Sequence, residues 1–314
     1  MMPKQLNYKI KVLPWPRCEL AESPVWDDKR DCLYWVDIRA GKLFEGAFKE
    51  GEAAAQVRKW QLNAPLAAVA LDQNLGQKSD HASDLLLAFR DEVCRFDPDS
   101  FGLELMAKVP IKDGKSRLND AKVSPEGRFL LGALKAPETS ELAQLYSLSA
   151  KSEVLVLQIG LYTSNGLAWS PCGQYLYHSD SGLKTDVGIG RVWRYRYCRE
   201  RGELSDRTVF VDYLPEWGRP DGAAMDVEGH YWSAGVSAGR INRFNPNGEL
   251  VGYVKVPMQN PTMPCFGGPD LKTLFVTSLQ RTDGSSESDT LAGKLITIDM
   301  EVAGVPVGRF GKES

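Results

Sequence analysis

The fold that this 314-residue sequence predicts is all-β: a six-bladed β-propeller of four-stranded blades closed into a ring. Three observations predict it. One pattern recurs six times, starting at Glu22, Ala67, Asn119, Asn165, Asp221 and Cys265, about 44 to 56 residues apart. That period suits a blade of four short strands. Five residues after each start stands Asp27, Asp72, Ser124, Ser170, Asp226 or Asp270, followed in most copies by a turn and an apolar, aromatic-rich run. No stretch reads as a long amphipathic helix and no linker divides the chain, so one domain over residues 1–314 is expected.

The elements follow in order. The run 8–13 has no copy of its own and is expected as the outer strand that closes the ring against the last blade, leaving few free edges. Within each copy a short run such as GLAW (166–169) supplies the innermost strand, a turn such as SPCG follows, and QYLYHSD supplies the second strand. The third strand opens on glycine and a base: GKLFEG at Gly41, GRVWRYRY at Gly190, GRINRF at Gly239, GKLITID at Gly293. Its alternation fits a half-buried strand. The turns RERGEL and NPNGEL lead into fourth strands near 208–213 and 251–256. Three long connections join second to third strands, at 134–143, 181–189 and 280–292. The last two are rich in Ser, Thr, Gly and Asp and read as mobile walls of a mouth on the axis.

Composition narrows the partners. A net charge of -3, from 38 basic against 41 acidic residues, argues against a nucleic-acid or anionic-membrane partner. No apolar run approaches a membrane span, and MMPKQLNYKIKVLP has no apolar signal core, so a cytoplasmic location is expected. The cysteines at 18, 32, 94, 172, 198 and 265 form no CxxC and no zinc spacing, which favours reduced thiols.

Polar residues at one equivalent position of a closed ring must converge on its axis. Glu22, Asn119, Asn165 and Asp221 occupy that position in four copies. Two carboxylates and two amides, with no His or Cys, suit a hard divalent cation such as calcium or magnesium; zinc, manganese and iron(II) are also compatible. The alternative is that they cap strand ends or bond water in a central channel. Arg117 stands two residues before Asn119, where it either holds oxygens of a polar ligand or forms a surface ion pair. Asp120 points into the mouth or orients Arg117. His178 and Asp180 read as strand-end residues rather than catalysts. There is no G-x-S-x-G elbow, no phosphate-cradling GxxxxGK[ST] and no Ser-His-Asp triad.

The blocks AESPVWD, SRLNDAKVSPEGRFLLGALK, SNGLAWSPCGQYLYHSDS, GRPDGAAMDVEGHYW and PTMPCFGGPDLKTLFVTS resemble the SMP-30/gluconolactonase/LRE-like family from about Cys18 to Asp299. The resemblance implies a six-bladed propeller that hydrolyses sugar lactones, with one divalent cation held by Glu22, Asn165 and Asp221. It implies substrate contacts from Arg117 and Asn119. TMPCFGG is closer to bacterial aldonolactonases than to animal regulatory proteins. Where animal members place a substrate-reaching Glu, this chain has Pro137 with Glu138 beside it. Glu138, or a residue of 181–189, is therefore expected to make the outer hydroxyl contact.

The function expected is hydrolysis of aldonolactones (glucono-, galactono-, arabino- or xylonolactone) to aldonic acids. Calcium is the first choice of cation. Asp221 is the expected proton acceptor from water, and the protein is expected as a monomer or small homo-oligomer. Two alternatives use the same propeller: a metal-dependent aryl-ester or organophosphate hydrolase, and a non-enzymatic calcium-binding protein.

Overall fold

The structure, a computed structural model, describes residues 3–49, 52–73, 85–111, 114–137, 142–281 and 289–311. Two short N-terminal strands, β1 (Lys4–Gln5) and β2 (Ile10–Val12), precede six four-strand units. Blade one is β3 (Ala21–Asp27), β4 (Cys32–Asp37), β5 (Lys42–Lys49) and β6 (Glu52–Gln61). Blade two is β7 (Ala68–Leu71), β8 (Leu85–Ala88), β9 (Glu92–Asp97) and β10 (Gly102–Lys108). Blade three is β11 (Arg117–Val123), β12 (Phe129–Leu134), β13 (Ala143–Leu148) and β14 (Val154–Leu161). Blade four is β15 (Ser164–Trp169), β16 (Tyr175–Lys184), β17 (Ile189–Cys198) and β18 (Glu203–Asp212). Blade five is β19 (Arg219–Met225), β20 (Tyr231–Val236), β21 (Arg240–Phe244) and β22 (Leu250–Lys255). Blade six has β23 (Pro261–Gly267), β24 (Thr273–Ser278) and β25 (Ile296–Asp299), and β2 is its outer strand. The innermost strands contact one another in ring order, β3 to β7, β11, β15, β19, β23 and back to β3. This is a six-bladed propeller.

Burial follows position in the blade. Inner strands such as β15 and β23 are buried at every residue, because neighbouring blades cover both faces. Outer strands such as β14 are largely exposed. The core is divided into clusters wedged between adjacent blades. One packs Tyr34, Val36 and Leu43 of blade one against Val69, Leu85 and Phe96 of blade two. Another stacks Trp15 on Trp35, with ring centroids 4.8 Å apart, where blades six and one meet. Aromatic residues fill these wedges because each buries a large apolar area with few rotatable bonds.

Two features were not expected from the sequence. β1 adds a fifth strand to blade five, pairing parallel with β22. The segment after β25 crosses the rim opposite the mouth: Val305 N–H donates to Met225 O, Phe310 N–H to Leu71 O, and Gly311 N–H to Gly127 O. Arg309 Nη2 bonds Asp27 Oδ1 at 2.6 Å and Asp28 Oδ1 at 2.5 Å, so this strap ties blades five and six to blades one, two and three.

The connection at 181–189 corrects a sequence expectation. It is a hairpin extension, in which β16 runs to Lys184, β17 starts at Ile189, and Thr185 N–H and Oγ1 both donate to Gly188 O. Its Ser, Thr and Gly content serves a tight turn rather than a mobile loop. All six cysteines are free thiols. No helix of the described residues is long and apolar enough to cross a membrane.

Candidate metal and substrate site

Each inner strand enters the ring at the mouth rim, and five of the six break register just after entry. The pairing shifts between Glu22 and Val25, Leu118 and Ala121, Asn165 and Ala168, Pro220 and Ala223, and Pro261 and Pro264. A bulge re-aims side chains and frees backbone groups from the ladder. β7 has no such shift, and its sequence AVAL carries no polar residue. The sixth copy differs from its expected phase. Cys265 lies beyond the bulge, and Thr262 occupies the entry stretch, with Oγ1 donating to Ala21 O at 2.6 Å.

The bulges bring the expected residues together. Asn119 Nδ2 donates to Asn165 Oδ1 at 2.7 Å and to Ser164 O at 3.2 Å. Asn165 Nδ2 donates to Ser181 Oγ at 2.8 Å, and Ser181 Oγ donates to Pro220 O at 2.6 Å. With its nitrogen held by Ser181, the Asn165 amide keeps its oxygen on the Asn119 side, with a lone pair to spare. Gly166 makes the turn possible. Its φ is 64°, and an added Cβ would lie 2.5 Å from Tyr231 OH and 2.8 Å from Asp221 O.

Three buried carboxyls act on one another's charge here, although their oxygens do not form a cluster as tight as that of Asp226, Glu228 and His230 on the far rim. Burial holds the Glu22 carboxyl well above the usual carboxylate range, and the neighbouring Asp221 and Asp120 carboxylates push it further. Burial pushes Asp221 up to about 7, with Arg219 pulling it down and Asp120 pushing it up. Burial likewise raises Asp120, opposed by Lys122 and by the N–H groups of Leu167, Gly166 and Ala121. Asp120 Oδ1 is buried with no hydrogen-bond partner. Arg117 is half-buried on the same strand; Nη1 donates to Leu118 O at 2.8 Å, and its charge favours the ionised form of Glu22. Burial pushes the Arg117 guanidinium itself down to about 10.

A hard divalent cation suits this donor set. Crowded carboxyls that resist ionisation and an unpartnered buried carboxylate oxygen both gain from an added positive charge. Glu138, by contrast, lies outside the described residues, as do 139–141 of its loop and 282–288 of the third long connection.

Other titratable groups have partners outside the mouth site. Asp180 accepts from the N–H groups of Tyr162 and Thr163, but from within β16 rather than at the strand end that the sequence suggested. His178 Nε2 lies 2.7 Å from Ser164 Oγ, and burial pushes the ring down to about 3, so it is neutral. On the far rim Asp226, Glu228 and His230 have ligand atoms within 4.8 Å of one another. Arg243 Nη2 already sits among them, 3.4 Å from Asp226, 3.2 Å from Glu228 and 3.0 Å from His230.

Sequence reasoning missed Lys122 and Ser181. Lys122 Nζ donates to Ala223 O at 2.6 Å from within the ring. The signal was present: a lysine in an innermost strand, where a charge has to be paired. Ser181 had none, since serine is ordinary in a turn-rich stretch.

The fold and mouth define a class, a six-bladed propeller with an oxygen-donor site on its axis. Comparison with known proteins places the chain within it: the chain belongs to the SMP-30/Gluconolactonase/LRE-like family, whose region matches residues 20–280. A 6-deoxy-6-sulfogluconolactonase from Pseudomonas putida is 33% identical over 284 residues, covering 90% of this chain and 91% of the relative. Pentonolactonase XacC from Haloferax volcanii is 29% identical, covering 92% and 94%. In structure the chain is similar to a calcium-binding protein, regucalcin, from Agrobacterium tumefaciens, with a TM-score of 0.86, 23% identity and coverage of 98% and 99%. At that identity the likeness speaks for the fold.

Proposed function

We propose that this protein is a lactonase that opens sugar lactones at a divalent cation held by Glu22, Asn165 and Asp221. The observation that carries the reading is the pair of buried carboxyls that resist ionisation, beside an oriented amide, at the mouth of a propeller of this family. The lactonases among its relatives support the substrate class. When bound, the cation would supply Lewis-acid polarisation of the lactone carbonyl and acidify a nearby water.

The chain's own residues do the rest. Asp221 accepts the proton of the attacking water as the water oxygen bonds the carbonyl carbon. The ring carbon–oxygen bond then breaks, the leaving alkoxide takes the proton, and an aldonic acid results. Arg117 donates to substrate oxygens with a planar, fixed fork, and Asn119 supplies its half-exposed amide oxygen to a hydroxyl. Glu138 is retained as a proposed outer hydroxyl contact. Calcium is the proposed ion, since the donors are all oxygen.

The test is a panel of five- and six-membered aldonolactones, followed by pH indicator on metal-stripped protein with each divalent ion restored in turn. Hydrolysis should return with the ion. Metal-bound protein that opens none of them would sink the proposal.

A further inference from the structure

The two amides of the mouth are joined, through one serine, to a backbone acceptor on the next blade. Ser181 stands in β16 of blade four, and Pro220 stands in β19 of blade five, immediately before Asp221. A carbonyl can only accept. Ser181 Oγ lies 2.6 Å from Pro220 O, so the single hydroxyl proton of Ser181 is committed there. Ser181 can then offer Asn165 only lone pairs. Asn165 Nδ2 donates to one of them at 2.8 Å, which puts its amide nitrogen on the Ser181 side and Oδ1 on the other. That oxygen receives Asn119 Nδ2 at 2.7 Å, and Asn119 Nδ2 also donates to Ser164 O at 3.2 Å. Both N–H groups of Asn119 are spent in this way, and its oxygen is the atom left for the mouth. Asn165, Ser181 and Pro220 are buried, and Asn119 is half-buried.

The direction of this chain has one source. Reversed end for end, the Asn165 amide would set its oxygen against the Ser181 oxygen and its nitrogen against the Asn119 nitrogen. Two buried hydrogen bonds would be lost at once. Without the Ser181 hydroxyl only the Asn119 side of that lock remains, and Asn119 can turn with its neighbour. Resting on the cation reading above, we infer that Ser181 is a positioning residue that fixes which end of the Asn165 amide is offered to the cation and, one bond further on, which end of Asn119 is offered to the substrate. It acts through Asn165 and has no direct part in the opening of a lactone.

The experiment titrates metal-stripped protein with calcium by calorimetry, with circular dichroism to check folding. Ser181→Ala should weaken calcium binding by about tenfold, the weight of one buried hydrogen bond. The same change is then made in Asn165→Asp protein. A carboxylate presents an oxygen whichever way it turns, so there Ser181→Ala should change the affinity by no more than about twofold. A serine that only ties blade four to blade five would weaken both backgrounds alike. Equal losses therefore overturn the inference, and so does an unchanged affinity in Ser181→Ala alone. If Ser181→Ala does not fold, nuclear magnetic resonance of the metal-free wild type decides. The Asn165 side-chain N–H signals, identified by their absence from Asn165→Asp, should be protected from exchange with solvent, and exchange as fast as that of an exposed amide overturns the inference. Wild-type protein that binds no divalent ion would overturn the cation reading as well, whereas calcium binding weakened equally in both backgrounds overturns this inference alone.

Discussion

At the far rim, Asp226 accepts from the N–H groups of Glu228 and His230, from Trp232 Nε1 and from Arg243, and Asp27 accepts from Lys29 N–H and Arg309. At the mouth rim Asp120, like Asp27, keeps one unpartnered oxygen, while burial and the neighbouring carboxylates make Glu22 and Asp221 resist ionisation. The two rims hold similar acidic residues, but arginines bond those of the far rim directly, whereas Arg117, Arg219 and Lys122 act on the mouth carboxyls without an ion pair to them among the described residues. Acidic clustering by itself therefore does not argue for a cation site in this fold; the proposed site is the cluster that no guanidinium closes. The far-rim trio of Asp226, Glu228 and His230 is the tighter group of potential ligands, yet a guanidinium already stands in it.

Matched substitutions on the two rims should break this comparison if it is wrong. Asp221→Asn at the mouth should lower kcat by about 10²- to 10⁴-fold, the usual weight of a lost general base. Thermal stability without metal should hold or rise, because one of the crowded carboxyls is gone. Asp226→Asn on the far rim should leave lactone hydrolysis within about twofold and cost roughly 1–3 kcal/mol in stability, as charge-assisted bonds weaken. Steady-state kinetics and urea unfolding on both variants settle the pair; loss of activity in Asp226→Asn with retained fold would reverse the assignment of rims.

Arg117→Leu comes next in size. Removing this half-buried, proposed donor to substrate oxygens should lower kcat/KM by about ten- to thousand-fold, while calcium affinity measured by calorimetry changes little. An unaltered kcat/KM on the best lactone would take Arg117 out of the site.

Much of this contrast was legible in the sequence. Repeat position alone placed Glu22, Asn119, Asn165 and Asp221 at one end of the ring, because a closed ring forces equivalent positions together. The limits have physical causes. The sixth copy slipped in phase because its turn, GGPDLK, differs from the SPEG and SPCG turns that mark other copies, and Thr262 rather than Cys265 stands at the rim. The strap escaped notice because 300–311 has no strand alternation, and its hold comes from Arg309, Phe310 and backbone bonds to distant blades. Lys122 lies in a block that the sequence singled out, but its bond to Ala223 O of a distant blade depends on where the bulge turns the side chain.

Metal removal sharpens the comparison through pH. Asp221 titrates near 7 in the folded metal-free protein against an ordinary value of 3.8. A raised folded value means stability that is present below the unfolded pKa and lost as pH climbs through the folded one. Metal-free protein should thus lose stability between about pH 4 and 7 at up to roughly 1.4 kcal/mol per pH unit from this residue. A bound cation should offset that loss, so the rise in Tm on adding calcium should be larger at pH 8 than at pH 5. Equal shifts at both would mean that the ion is not held by these carboxyls. The far rim supplies the control: Arg309→Met should cost about 1–3 kcal/mol by leaving Asp27 underpaired, with no effect on calcium affinity.

The smallest effect expected is on substrate ranking, and the structure alters where to look for it. Ser181 holds the Asn165 amide, so changing it would disturb the ligand set along with any hydroxyl contact. The tip of the hairpin is free of that duty: Asp186 and Val187 are exposed, and the turn is held by Thr185 through the backbone of Val187 and Gly188. Exchanging Asp186 and Val187 for other residues should reorder aldonolactones by a few-fold at most, since an exposed contact contributes about 1 kcal/mol or less. Exchange of 134–143, which carries Pro137 and Glu138, should reorder them more, because that loop follows directly from the strand pair bearing Arg117 and Asn119. Calcium affinity should stay fixed in both. If neither exchange changes the order, discrimination belongs to the rigid inner strands, and the rim loops only admit the substrate.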